Sequence, residues 1–198
     1  IGENGVDLRN YGEPIGIIEA RRLGADILDS KVDLTIAGEQ SSYLLMTQLL
    51  LGRSLFGLDD DPWKDDKEPA FLCAVPGFDR HFATLEGLGL KMHTVNLCSS
   101  GIDLDDLNKK LSKYPNIKGL ICVPRHSNPS GEVFSDENVT NLLKITKEYN
   151  PSFINLFDHA YLIHDFDETQ PQTPIPVLAD GLGALENVAV FTSFSKVT

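Results

Sequence analysis

The sequence predicts an α/β fold, a mostly parallel sheet with helices on both faces, from three observations. Segments 71–75, 117–123 and 152–157, and the run that opens at Asn187, are apolar without alternation, as strands covered on both faces are. Amphipathic stretches with three- and four-residue apolar steps lie between them, and right-handed crossover helices read that way. The conspicuous polar residues fall just after the strands, where ligands of such sheets sit.

Taken in order, residues 1–14 mix turn formers with polar groups and read as an N-terminal segment. Pro14 stands near the start of a helix over 15–28, where its missing N–H costs nothing. Residues 33–37 read as a short buried strand broken by Gly38, and 41–56 as a long helix. Strand, glycine turn and helix together make a phosphate-cradle geometry. A second strand, 71–75, ends at Pro76-Gly77 and leads into a helix over 78–88. Lys91 to Leu97 alternates moderately, as a third strand would. Asp103 caps a helix reaching Lys113, acidic at its start and basic at its end, which suits the helix dipole. The strand 117–123 is closed by the turn Asn128-Pro-Ser-Gly131. Ser135, followed by Asp136 and Glu137, opens a helix whose apolar face is Val139, Leu142, Leu143 and Tyr149. The strand 152–157 ends at Asp158. A proline-rich loop over 170–176 and a short helix near 177–182 precede the terminal strand.

Length and composition bound the function. The chain has 198 residues, 41% of them hydrophobic, enough for one sizeable core, in one domain or a piece of a larger one. Seventeen basic against 29 acidic residues give a net charge of -12, which argues against nucleic acid and anionic membranes as partners. The densest acidic run, from Asp59 to Glu68, reads as a solvated loop pinned by Trp63. Cys73, Cys98 and Cys122 sit in apolar surroundings and read as buried reduced thiols, implying a reducing compartment. The histidines and cysteines share no metal-type spacing, so no metal is expected. No apolar run approaches the roughly 20 residues of a membrane span, and no signal peptide appears. The opening at Ile1 suggests an excised segment.

The chemistry converges on Ser193-Phe-Ser195-Lys196. A lysine buried among apolar groups favours its free amine, which attacks carbonyls and forms Schiff bases; the alternative is a surface lysine at a helix start. Ser193 and Ser195 could donate to the phosphate of an aldehyde that Lys196 captures, and Ser41 and Ser42, with the Gln40 amide, stand where a helix N-terminus would meet it. The plain reading of the latter pair is an N-cap. Asp158 could hold a pyridinium nitrogen protonated, or cap the segment that follows it. A buried aspartate there needs some cation. Tyr161 and the Asn128 amide could donate to a ring oxygen, or be a core aromatic and a type I turn. Phe78 could stack on a ring or belong to the core.

Asn128-Pro-Ser-Gly131, Asp158-His-Ala-Tyr161 and Ser193-Phe-Ser-Lys196, in that order and spacing, resemble the Asn-Pro-x-Gly, Asp-x-x-Tyr and Ser-x-x-Lys signatures of fold-type I pyridoxal-phosphate aminotransferases. Arg9-Asn-Tyr-Gly12, the Gly38 to Met46 segment, Leu72 to Phe82 and Val123 to Gly131 extend the likeness to a divergent, bacterial-type branch of aspartate aminotransferases. The resemblance implies pyridoxal 5'-phosphate as cofactor, with Lys196 as Schiff-base lysine and proton shuttle. It implies Asp158 on the pyridine nitrogen, Asn128 and Tyr161 on the ring oxygen, and Ser41, Ser42, Ser193 and Ser195 on the phosphate. Phe78 takes a stacking position usually held by tyrosine, which keeps the ring and drops a hydroxyl. Arg80 and Gly12 fall to the substrate; a forked Arg80 suits a dicarboxylate, unless it makes a surface ion pair.

The reaction so implied moves an amino group between an amino acid, aspartate first, and a 2-oxo acid, 2-oxoglutarate first. An aromatic or kynurenine-type aminotransferase, a lyase or decarboxylase of the same fold, and a non-catalytic ligand-binding module are the alternatives. Family members continue far beyond the lysine. Residues 15–198 are therefore expected to be an incomplete large cofactor-binding domain without its C-terminal small domain, inactive alone and part of a cytoplasmic homodimer when full length.

Overall fold

The computed structural model describes residues 1–3, 5, 7–39, 41–58, 60–165 and 172–196. Among them are six helices: α1 (Ile18–Leu28), α2 (Ser42–Leu55), α3 (Asp79–Gly87), α4 (Leu104–Lys113), α5 (Asp136–Tyr149) and α6 (Ile175–Gly181). Six strands, β1 (Ala70–Val75), β2 (Lys91–Cys98), β3 (Gly101–Ile102), β4 (Ile117–Cys122), β5 (Ile154–Asp158) and β6 (Val188–Phe191), form one sheet in the order β3-β2-β1-β4-β5-β6. Every pairing is parallel except that of β3 with β2. The expected α/β architecture is therefore present, with the two-residue β3 as the strand that no sequence pattern announces.

Helix ends follow the capping chemistry. The Asp103 side chain accepts from the Asp106 N–H at the start of α4, and Ser135 accepts from Asn138 N–H at the start of α5. Each satisfies a backbone donor that the first turn leaves free. Alternate residues of the strands feed opposite cores. Leu72, Leu120 and Phe157 pack under α4, α5 and α6 with Leu107, Val139 and Leu142. Phe71, Ile121 and Leu156 face Met46 and Leu50 of α2 and Leu85 of α3. Full burial of each such side chain contributes about 1.5–3 kcal/mol, so the central strands are held from both sides. Trp63 is buried in this second core and its ring centroid lies 5.9 Å from that of Phe71, which anchors the acidic stretch that surrounds it.

Three expectations need correction. Residues 33–37 form no strand: Val32–Leu34 is a 3-10 turn, and Leu34 and Ile36 are 59% and 60% exposed. Thr35 is extended, but no neighbouring strand lies against it among the described residues, and a strand needs a ladder as well as an apolar run. Cys98 is exposed at the end of β2, which has only the short β3 beyond it; Cys73 and Cys122 are buried, and burial pushes Cys73 up to about 12. Asn-Pro-Ser-Gly does not close with the Asn128 carbonyl to Gly131 N–H bond of a type I turn, because the Gly131 N–H donates to the Ser127 carbonyl one residue earlier. Gln40, Asp59, Gln170 and Pro171, which also figured in the sequence reading, lie outside the described residues.

Gly119 shows how tightly the centre of the sheet is built. A Cβ there would come 2.3 Å from the Ile154 carbonyl oxygen and 2.5 Å from Cζ of Phe71. Gly119→Ala is expected to destabilise the full-length protein by about 2 kcal/mol or more, since backbone and a buried ring must both move. A urea titration followed by tryptophan fluorescence would read the drop; an unchanged midpoint would mean that β4 and β5 are not packed this closely.

Candidate functional site

The parallel register gathers four strand ends at one rim. Cys122 pairs with Phe157 and Asp158 with Phe191, while β1 runs alongside β4, so the loops after β1, β4, β5 and β6 leave the sheet together. Phe78, Asn128, Asp158, Tyr161, Ser193, Ser195 and Lys196 all lie at or just beyond these ends.

Asp158 is the centre of the arrangement. It is the last residue of β5, 6% exposed, on the face covered by α2 and α3. The Nε2–H of His81, from the first turn of α3, donates to Asp158 Oδ2 at 3.0 Å, and His81 is itself 2% exposed. Asp158 Oδ1 is equally shielded and has no hydrogen-bond partner among the described residues. A carboxylate oxygen left dry and unpaired costs on the order of 1–3 kcal/mol or more, and a donor from a bound group at this position would remove that cost. Phe78, the N-cap residue of α3, sets its ring edge-on to the His81 imidazole, with centroids 5.2 Å apart and planes at 88°. Phe78, His81 and Asp158 thus form one chain of contacts. Two neighbours register the buried charge. The Cys122 thiol is pushed well above its ordinary range by burial and by the Asp158 carboxylate. His159 is pushed down to about 4 by burial, helped by the Arg125 charge and opposed by Asp158, and its Nδ1 has no partner among the described residues.

His81 was absent from the sequence-predicted set. It stands three residues after Phe78, hence on the same side of the helix start, and a buried aspartate needs a donor. Those two signals together identify it.

The hydroxyl-bearing residues meet at a second place on the rim. Gly38, Ser41, Ser42, Thr192, Ser193 and Ser195 line one cleft of about 1270 Å³ between α1, α2 and β6. Ser41 is the N-cap of α2 and its Oγ accepts from the Leu44 N–H at 3.4 Å; Ser193 Oγ accepts from the Ser195 N–H at 3.4 Å. Both hydroxyls keep their own proton to donate. The cleft abuts the Asp158 corner through Thr192, whose hydroxyl donates to the His159 carbonyl at 3.1 Å. Its walls do not include Asp158, Phe78, Asn128, Tyr161 or Lys196.

Tyr161 and Lys196 are linked by His164. The Tyr161 and His164 rings meet edge to face at 5.8 Å, and His164 Nε2 donates to the Lys196 carbonyl at 3.1 Å. The Lys196 side chain does not have the buried apolar setting expected of it. Residues 194–196 are exposed, because β6 is the last strand of the sheet, half-buried throughout, and no described element covers the turn that follows it. Arg80 is exposed on α3 and makes no ion pair among the described residues. Gly12 lies in the exposed N-terminal segment with nothing within 4 Å of where a Cβ would be. Neither is joined to the Asp158 corner. Asn128 is half-buried in the loop after β4.

The buried, half-satisfied carboxylate at one strand end and the serine-lined helix start beside it lie along the rim where open α/β sheets hold their ligands. The chain matches the aspartate amino-transferase family model over residues 2–198 and belongs to that family. It is 34% identical to the aspartate aminotransferase of Corynebacterium glutamicum, in a match that covers 98% of this chain and 45% of the relative. The crystal structure of an aspartate transaminase from the same organism superposes with a TM-score of 0.89 at 33% identity, over 99% of this chain and 46% of that one. An archaeal alanine:glyoxylate aminotransferase, at 23% identity and a TM-score of 0.76 over 95% of this chain and 44% of its own, shares the fold. The chain thus spans about half the length of the relatives it matches.

The depressed His159 gives a pH test. Its folded value lies below the unfolded one near 6.5, so the unfolded chain binds more protons between about 6.5 and 4, and stability falls as pH falls through that window. His159→Asn is expected to recover up to about 3 kcal/mol of the acid loss by pH 4. Thermal midpoints of wild type and variant against pH would show it, and parallel curves would contradict the buried neutral imidazole.

Proposed function

We propose that the full-length protein is a pyridoxal-phosphate-dependent aminotransferase that exchanges an amino group between an amino acid, aspartate foremost, and a 2-oxo acid, 2-oxoglutarate foremost. The observation that carries the reading is the shielded, unpaired Oδ1 of Asp158, whose partner oxygen is already engaged by His81. A protonated pyridine nitrogen is the kind of donor such an atom lacks. Family membership over residues 2–198 supports the same assignment.

The residues present fit the cofactor. Asp158 would hold the ring nitrogen protonated, with His81 fixing the carboxylate so that Oδ1 is the free atom. Phe78, packed on His81, would flank the ring face. Asn128 and Tyr161 would donate to the ring oxygen. Ser41, Ser42, Ser193 and Ser195 would donate to the phosphate, adding hydroxyl protons to the N-terminal amides of α2. When bound, pyridoxal phosphate supplies an electron sink for the carbon from which a proton is removed. The Lys196 amine would attach the cofactor and carry that proton to and from the substrate α-carbon; parts of the protein beyond these residues would supply the dry setting that the exposed turn lacks. Arg80 would meet a substrate carboxylate by its forked donors, and Gly12 would let backbone approach the substrate.

By the same reading, residues 1–14 are an N-terminal segment and 15–198 belong to the large cofactor-binding domain, with the small domain outside them. The whole protein would be a cytoplasmic homodimer. The free, buried Cys73 and Cys122 suit a reducing compartment, and among the described residues no helix is long and apolar enough to cross a membrane.

Full-length protein mixed with pyridoxal phosphate is expected to develop a visible absorption band that Lys196→Ala abolishes. Steady-state kinetics with aspartate and 2-oxoglutarate should be ping-pong, and Asp158→Asn should lower kcat by about a hundredfold or more. No band in wild type would reject the cofactor; a band without transfer to any dicarboxylate would reject the substrate class.

A further inference from the structure

Asp165 collects three donors from one neighbouring loop. Arg125 Nε donates to its Oδ1 at 2.9 Å, Arg125 Nη2 to its Oδ2, and His126 Nε2 to Oδ1 at 2.7 Å. The Arg125 side chain is only 13% exposed. Burial acts to raise the Asp165 carboxyl, but the bonds from Arg125 and His126 outweigh it and hold the group below its usual range, so it is charged at neutral pH.

The position of this fork matters more than its strength. Arg125 and His126 lie in the loop after β4, three and two residues before Asn128; Asp165 lies four residues after Tyr161 in the loop after β5. The β4–β5 ladder stops at Cys122 and Phe157. Beyond it, the bonds to Asp165 join the two loops close to Asn128 and Tyr161, while Gln172 Nε2, donating to the Phe134 carbonyl at 2.6 Å, joins them again farther along both. A bidentate guanidinium–carboxylate pair fixes orientation as well as distance.

We propose that Arg125 and Asp165 are positioning residues that set the separation between the Asn128 amide and the Tyr161 hydroxyl, the two donors assigned to the cofactor's ring oxygen. The inference rests on the cofactor reading above. A misplacement of such donors by well under an ångström weakens both bonds. Donors to an anionic oxygen stabilise its deprotonated form, so their loss makes the bound cofactor hold a proton to higher pH.

The test uses full-length Asp165→Asn, Arg125→Lys and the double variant, with Lys31→Ala, which removes a distant surface pair with Asp180, as control. Two quantities are read: the pH midpoint of the bound cofactor's visible band, and the dissociation constant of pyridoxal phosphate from the apo-protein by fluorescence titration. Each single variant is expected to raise the midpoint by about half a unit or more and to weaken cofactor binding by about threefold to tenfold. The double variant should be no worse than the singles, because the pair acts as one unit. Arg125→Lys keeps the charge and loses only the fork, so it carries the test if Asp165→Asn fails to fold. Wild-type midpoint and affinity in cooperatively melting variants, or additive effects, would overturn the proposal. A wild-type protein with no band at all would instead reject the cofactor reading, and this inference with it.

Discussion

A carboxylate held away from water needs donors for both of its oxygens, and the geometry of this molecule is arranged around one with a single oxygen engaged. Asp158 ends β5 inside the layer between the sheet and α3, where His81 engages one oxygen and leaves the other dry. That single requirement ties a strand end to a helix start 77 residues earlier in the chain. The neighbours of Asp158 are held uncharged: burial and the Asp158 carboxylate keep Cys122 a thiol, and burial with the Arg125 charge keeps His159 a neutral imidazole.

Parallel pairing is the reason the remaining parts lie near it. In a parallel sheet every crossover returns the chain to the same starting edge, so each strand delivers its following loop to the opposite edge. The loops after β1, β4, β5 and β6 carry Phe78, Asn128, Tyr161 and Ser193 to one rim without any contact between them being specified in advance. Fine placement then depends on side chains that fasten one loop to the next: His81 to Asp158, Thr192 to His159, His164 to Lys196, and Arg125 to Asp165. The sheet supplies the neighbourhood, and these bonds supply the distances.

The rim is built unevenly. The corner at β1, β4 and β5 lies in the middle of the sheet, has a core on both faces, and presents a buried, defined pair. The corner at β6 lies at the sheet's edge, where burial is partial, the cleft beside it is wide, and Lys196 is exposed. Burial of a lysine requires material on both sides of the strand that delivers it. Both faces of β6 touch a core through Val188, Ala189, Val190 and Phe191, but among the described residues no strand lies along its outer edge and the turn after it is exposed.

The amino-acid sequence by itself determined what depends on neighbours along the chain. Apolar runs became β1, β4, β5 and β6 within a few residues of their expected limits, Asp103 and Ser135 capped the helices they begin, and Trp63 pinned the acidic stretch. Residue order alone also placed Asn128, Asp158, Tyr161 and Lys196 after strand ends. Tertiary structure decided everything that depends on who lies opposite. Residues 33–37 have strand composition and no ladder partner, so they are not a strand; Cys98 has an apolar context and an exposed edge position, so it is not buried. His81 carries only its spacing from Phe78 as a signal and Arg125 carries none, so folding is what brings each to its aspartate. Local propensity and capping act over three or four residues, whereas the burial, pairing and charge that make a site reactive are set by contacts between residues tens of positions apart.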